Sequence, residues 1–401
     1  MARPVFLSYT WTDPDPDEVD LLDSLLLLRG VPVWRDRREM TFGTYNETRV
    51  RQGLERECSG FALYYTDAVL GSDFILKIEL DAMAARRRVG APPPFFAGAV
   101  FRRSVDIPGA AEKLRQASGG VRLGEAFGGH VSDEDFDQDL RGATNGILSA
   151  YLEQELASAP DEVSVRVETR GGIPNADPAL LHLCWCPPLD HDPSRHPEDV
   201  WEHHLLPALG DLQAALEARQ APRRLRIVGN LHLSAALALG WQFRQPTRWS
   251  VAIDHDFVPC ETALADPDPH AWRLTVEPGP SKADNDRLVV CVHASQDVAK
   301  AMENHCRELP PARAMLHVYP PSGTPGRTSL DPAHANGLSA AIAAQVHDCR
   351  RTYGTEQTPL YLACPWPLAT LLGWHLSSSG RLVMHEADVE RNSYRASCQL
   401  S

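Results

Sequence analysis

Two neighbouring stretches, Gly60-Phe-Ala-Leu-Tyr-Tyr65 and Asp73-Phe-Ile-Leu-Lys-Ile-Glu-Leu-Asp-Ala-Met83, decide how the first part of this chain folds. The first is a short apolar run of the kind buried in a parallel sheet, and the second has helical spacing. At about 100° per residue, Ile75, Ile78, Ala82 and Met83 fall on one side of a helix, with Glu79 among them. Its carboxylate therefore stands in the stripe that faces the body of the domain. Two roles are open to such a group. It is either a half-buried acid satisfied by an arginine or a backbone N–H, or an acid lining a cleft at the carboxyl ends of the strands, where α/β folds bind ligands.

The flanking sequence supplies the rest of a sheet. Pro4-Val-Phe-Leu-Ser-Tyr9 reads as a buried strand that opens into an acidic loop, Pro14 to Glu18, and Val19 to Leu28 is apolar at helical spacing with a stop at Gly30. Val31 to Trp34 is a second strand, Thr48 to Cys58 a helix, Phe61 to Tyr65 a third strand, and Pro94 to Phe101 a fourth. After a Gly-rich stretch through Gly129, Asp135 to Leu156 closes the unit as a long amphipathic helix. Strands alternating with helices through short connections predict a parallel sheet covered on both faces.

The chain has 401 residues, enough for two or three cores. Its formal net charge of −14 argues against wrapping long DNA or RNA, which needs a basic surface, but leaves room for a small nucleotide held by arginines and helix N-termini. No apolar run approaches the roughly 20 residues that span a bilayer. Met-Ala-Arg-Pro leads straight into a strand, so no signal peptide is expected and the protein is expected in the cytoplasm. Nine cysteines without CxxC spacing read as reduced structural thiols, and neither a zinc site nor any other metal is expected.

Phe6-Leu-Ser-Tyr9 with Asp13, Gly30-Val-Pro-Val-Trp34-Arg-Asp36 with Gly43, and Tyr65 through Ser72 leading to Glu79-Leu80 occur in this order over about 150 residues. Together they resemble a Toll/interleukin-1 receptor (TIR) domain, here residues 1–157. The resemblance implies a flavodoxin-like fold and, in the catalytic branch of the family, cleavage of NAD+ at the nicotinamide glycosidic bond. It makes Glu79 the catalytic residue and NAD+ a substrate rather than a cofactor. The family often has Trp four residues before this glutamate, where the present chain has Ile75. Ser8, Tyr9 and Thr10 at the end of the first strand, with Trp34 and Arg35 after the second, are expected beside the substrate. For Trp34 core packing is the competing role, and for Arg35 to Arg38 a solvated loop.

Beyond the small, polar linker Ala157 to Asp161 the chain repeats itself. Val163 to Glu168 and Ala271 to Glu277 both end in Val-Glu, the apolar runs Leu180 to Cys186 and Leu288 to Val292 follow, and then come helical segments Pro197 to Ala218 and Gln296 to Cys306. Later, Leu225 to Ser234 runs into a helix bearing Leu239-Gly-Trp241, as Pro359 to Pro367 runs into one bearing Leu372-Gly-Trp374. Two α/β halves, about 161–265 and 266–401, suit a pseudo-symmetric ligand. The strand ends offer helix N-termini at Asn230, Leu231, His232 and Ser234, and at Pro365 and Trp366. Ser234 is the expected cap of its helix. Trp185, Trp366, Tyr319, His232 and His293 could stack on or bond to bases, with core packing as the alternative for each.

Residues 161–401 resemble the SAVED domain, a fusion of two CARF-like, Rossmann-type units that binds cyclic oligonucleotides in bacterial CBASS antiviral systems. Paired with TIR, the resemblance implies a dormant NAD+ hydrolase. A cyclic trinucleotide such as cyclic tri-AMP would drive self-association, head-to-tail oligomers or filaments, and composite TIR sites. The alternative is a non-catalytic TIR scaffold that assembles on a cyclic nucleotide and recruits another effector.

Overall fold

A computed structural model describes residues 3–11, 16–35, 46–88, 95–102, 106–121, 123, 129–158, 160–170, 179–189, 197–255, 258–262, 272–280, 286–307, 309–326, 332–376 and 379–401. Asp13, Asp36, Phe42, Gly43 and the remainder of the loop after Arg35 lie outside them. The chain divides into two compact units. The first takes Met1–Pro160 together with Pro178–Leu183 and Asp211–Ala221, and the second takes the rest. No helix among the described residues is long and apolar enough to cross a membrane.

The first unit is built on β1 (Val5–Ser8), β2 (Val33–Trp34), β3 (Gly60–Tyr65), β4 (Phe96–Arg102) and β5 (Gly129–Val131). All neighbours are parallel, in the order β2–β1–β3–β4–β5, which is the doubly wound order of flavodoxin-like folds. Every residue of β1 and β3 is buried, as expected of strands covered on both faces. The helix Pro16–Leu28 ends at the turn where Gly30 takes φ +85°, a left-handed value that a glycine adopts without strain. β5, three residues long, and the helix Ile107–Ala117 were not foreseen in the Gly-rich stretch.

The two outlying segments belong to this unit for identifiable reasons. The buried guanidinium of Arg29 reaches Asp211 at 2.6 Å, Arg141 meets the other oxygen of that carboxylate at 2.6 Å, the His182 N–H donates to Gly30 O, and the Tyr151 hydroxyl donates to Leu180 O. Opposing effects act on Asp211: burial pushes its pKa up, but the hydrogen bonds from Arg141 and Arg29 outweigh that and hold it below the ordinary value.

In the second unit the strands are β6 (Val163–Glu168), β7 (Leu181–Cys184, divided between the units after Leu183), β8 (Arg224–Asn230), β9 (Ser250–His255) and β10 (Val258–Glu261). These are followed by β11 (Arg273–Pro278), β12 (Leu288–His293), β13 (Ala314–Tyr319), β14 (Gln357–Ala363), β15 (Arg381–Asp388) and β16 (Ser393–Leu400). The duplication is real in topology. β6, β8 and β9 run parallel with β10 antiparallel beside β9, and β12, β14 and β15 run parallel with β16 antiparallel beside β15.

The sequence alignment of the first strands needs correction. β11, which ends in the second Val-Glu, is an antiparallel edge strand against β13, whereas β6 is paired in parallel with β8, so the counterpart of β6 is β12. The counterpart of the helix before β8 is accordingly Pro332–Tyr353, not the short helix Ala299–Cys306.

The paired Leu-Gly-Trp segments are explained by the helices that follow β8 and β14, Leu233–Gln242 and Trp366–His375. They cross at their glycines. A Cβ on Gly240 would lie 1.8 Å from Thr370 O, and one on Gly373 would lie 2.2 Å from Leu237 O. Each glycine thus receives the carbonyl three residues before the other glycine, a twofold arrangement of main chain on main chain.

Candidate functional site

The carboxyl ends of β1 and β3 form the place where strand order reverses, the position at which doubly wound sheets hold ligands. β3 leads through the 3₁₀ turn Asp67–Gly71 into the helix that carries Glu79. After one residue pair of α-helix, Ile75–Glu79 is a π turn, and Leu80–Arg88 continues as α-helix. Such one-turn insertions re-aim side chains and are frequent at functional sites. Ile75 and Glu79 are both buried, and Ile75, Leu80, Ala82 and Met83 join Phe6, Trp34, Phe61, Leu63 and Tyr65 in one core cluster.

Within that core Glu79 is 4% exposed, and Ser8 Oγ, on the last residue of β1, donates to its Oε2 at 2.5 Å. The candidate acid and the first of the residues expected beside it are thus brought together across 71 positions of sequence. Tyr9 and Thr10 are buried beyond the strand end. Among the described residues, Thr10 Oγ1, Tyr65 OH and Thr66 Oγ1 are buried without a hydrogen-bond partner at this edge, and so is Trp34 Nε1.

Trp34 takes the packing role. Its ring stacks on Phe6 with centroids 4.5 Å apart, and a Cβ on Gly53 would lie 3.1 Å from it. Arg35 is not a solvated loop residue: it is buried, lies over the Tyr9 ring at 4.9 Å, and binds Asp20 at 2.7 Å and Asp23 at 3.0 Å. A second acid, Glu18, which sequence reading left in a loop, is clamped by Arg102 at 2.5 Å and by the Tyr64 hydroxyl at 2.6 Å. That acid is held by an ion pair and a hydroxyl together.

In the second unit the strand-end residues are engaged in ways the sequence did not reveal. Asn230 is exposed at the end of β8, its carbonyl accepting from the Thr169 N–H at 3.2 Å, and Leu231 is buried. The His232 N–H donates to Thr169 Oγ1 at 2.7 Å. His232, not Ser234, is the cap of the helix, and the Ser234 N–H donates to Glu386 Oε1 at 2.8 Å. Two of the N–H groups at this end are therefore taken, one of them by a carboxylate 152 residues away. At the matching end of β14, Pro365 is the cap, and Trp366, the first helical residue, is 7% exposed.

Trp185 is fully buried, edge-on to Trp201 at 6.0 Å. His293 is fully buried too and level with Ala363 of β14; its ring lies 4.3 Å from that of Tyr319, nearly parallel. Its Nδ1 meets Asp297 Oδ1 at 2.9 Å and its Nε2 meets His317 Nδ1 at 3.0 Å. Burial holds the His293 pKa below its ordinary value against the pull of Asp297. Thr169, Glu386, Asp297 and His317 were all missed. The signal available for the last group was Cys291-x-His293, two polar side chains on one face of an otherwise apolar strand.

No curated protein sequence matches the chain. Among solved structures it is similar to an Acinetobacter baumannii Cap4 SAVED/CARF-domain containing receptor, determined with the cyclic trinucleotide 2'3'3'-cAAA (13% identity, TM-score 0.47) and with 3'3'3'-cAAA (14%, 0.47). It is also similar to a Moraxella osloensis Cap4 receptor of the same description (13%, 0.45). Each match covers 90% of this chain and 86% of the other. Residues 207–400 match the SAVED family, the SMODS-associated and fused to various effectors sensor domain, which lies within the span that resembled SAVED in the sequence.

Proposed function

We propose that the chain is a ligand-gated NAD+ glycohydrolase of the TIR–SAVED kind, in which a cyclic trinucleotide bound by the SAVED part switches on cleavage at Glu79. The observation that carries the proposal is the buried Ser8–Glu79 pair at the reversal point of a parallel 2-1-3-4-5 sheet. The family match over residues 207–400 supports the sensor half.

The chemistry asks little of the protein beyond one oriented carboxylate. Nicotinamide departs as a neutral ring from a cationic one, so its leaving needs no proton. Positive charge builds on the ribose instead. A carboxylate held against that sugar stabilises the oxocarbenium-like state, and water then captures C1', giving ADP-ribose, nicotinamide and a proton. Ser8 holds one oxygen of Glu79 and so helps to orient the group. The buried hydroxyls of Thr10, Tyr65 and Thr66 add bonding capacity at the same edge.

Activation by association of TIR units, each completing its neighbour's site, accounts for a dormant state that a nucleotide can end. The test is to follow NAD+ loss with a panel of cyclic di- and trinucleotides while recording particle size in the same samples. A cyclic trinucleotide should trigger both, and Glu79→Gln should abolish NAD+ loss while leaving the size increase intact. NAD+ left intact under every nucleotide overturns the enzymatic reading and, with assembly preserved, assigns the domain to a scaffold; an unchanged rate in Glu79→Gln removes Glu79 from the catalytic role.

A further inference from the structure

We infer that Cys291, His293 and His317 form a binding site for one Zn2+ ion inside the C-terminal sheet. Cys291 and His293 are two apart on β12 and so project from the same face, and His317 on β13 stands directly opposite Cys291. The three side chains are 0%, 0% and 6% exposed, and one donor atom from each lies within 4.8 Å of the others.

Two imidazole nitrogens, His293 Nε2 and His317 Nδ1, face each other at 3.0 Å, a separation that a single proton bridges. Zn–N bonds of about 2.0–2.1 Å in a tetrahedral site set the nitrogens about 3.3 Å apart, so a cation held beside the line between them needs the nitrogens to part by a few tenths of an ångström and the rings to turn toward it. The thiolate supplies the third donor, and a two-nitrogen, one-sulfur set suits Zn2+ and disfavours Mg2+ or Ca2+.

The surroundings match what metal-bound histidines require. Asp297 Oδ1 sits 2.9 Å from His293 Nδ1 and is itself fixed by the Ala299 N–H at 2.9 Å, an outer carboxylate that favours the Nδ1–H form and leaves Nε2 for the cation. The Val298 N–H approaches the same Nδ1 at 3.2 Å, so the opposite tautomer is also accommodated without a cation; a cation at Nε2 removes the choice. The Cys291 thiol must give up its proton when a metal binds, so binding should weaken as the pH is lowered. Three protein donors leave a fourth position for water or a ligand atom.

The test uses the full chain, stripped with chelator and titrated with Zn2+ and, in parallel, Co2+. One equivalent of Zn2+ should bind and raise the thermal midpoint. Co2+ should give a thiolate-to-metal charge-transfer band that is lost in Cys291→Ser and retained in Cys306→Ser. X-ray absorption on the Zn2+-loaded wild-type protein, which depends on no variant folding, should show one sulfur at about 2.3 Å with nitrogen or oxygen neighbours at about 2.0 Å. A metal shell without sulfur, no charge-transfer band in the wild-type protein, or a band that survives Cys291→Ser overturns the assignment.

Discussion

Replacing Gly240 by alanine places one methyl group where the crossing helix already has its main chain. The new Cβ would sit 1.8 Å from Thr370 O, 2.8 Å from Thr370 C and 2.9 Å from the Trp374 N, whereas real Cβ contacts essentially never fall under 3.0 Å. The helices must part by more than about 1 Å, and no side-chain rotation can relieve the clash, so the cost falls at the upper end for overpacking, about 3 kcal/mol. Alanine returns about 1 kcal/mol through helix propensity. The net loss is about 2 kcal/mol, which for a unit of this size lowers the unfolding midpoint by about 4–8 °C. Gly210, also helical but with nothing within 4 Å of a built Cβ, is the control: Gly210→Ala should gain about 0.5–1 kcal/mol. Thermal unfolding followed by tryptophan fluorescence reads both. Gly240→Ala at or above the wild-type midpoint would refute the close crossing, and equal effects at the two glycines would refute the idea that packing rather than propensity decides.

Three further outcomes are expected. Ser8→Ala removes the hydroxyl that holds Glu79 Oε2 at 2.5 Å; losing about 1.4 kcal/mol of positioning predicts a roughly tenfold fall in the NAD+ cleavage rate at saturating substrate, and an unchanged rate would remove Ser8 from the site. Glu386→Ala uncovers the Ser234 N–H and should cost about 1 kcal/mol in urea unfolding, with Glu386→Gln intermediate; a neutral Glu386→Ala would mean the carboxylate contributes no cap. Burial, helped by His305, lowers the His385 pKa from 6.5 to about 4, so as pH falls through that window the unfolded chain binds a proton that the folded chain refuses, and stability declines. Burial does the same to His375, again to about 4. Unfolding midpoints between pH 6.5 and 4 should therefore fall less steeply in His385→Gln than in the wild type, and parallel slopes would contradict the assignment.

Four of the five strands of the first unit could be read from the sequence because they are short apolar runs separated by helical segments, whereas β5, three residues with no apolar run, left no such signature. Glu79 was legible for the same reason, although not through the geometry assumed. The π turn Ile75–Glu79 departs from 3.6 residues per turn, and Ile78 ends up only half-buried while Ile75 and Glu79 go fully inward. The repeat was aligned one strand early because two Val-Glu endings look alike, and pairing direction, which separates β11 from β6, leaves no local mark. The helix Pro332–Tyr353 went unseen because alanines and small polar residues blur its apolar stripe. What periodicity cannot supply is partners. Ser234 was expected to cap its own helix, but its N–H is met by an acid on another strand, and Trp185 and His293 pack against Trp201 and His317, which lie outside the motifs that drew attention to them.

The reciprocal notches at Gly240 and Gly373 have a mechanical consequence. Peptide groups have no rotamers, so the joint has no soft degree of freedom along which the two repeats could slip past each other. A disturbance at the end of β8 therefore meets, at the crossing, main chain that cannot yield by turning a side chain, and a shift of one helix should carry the other with it.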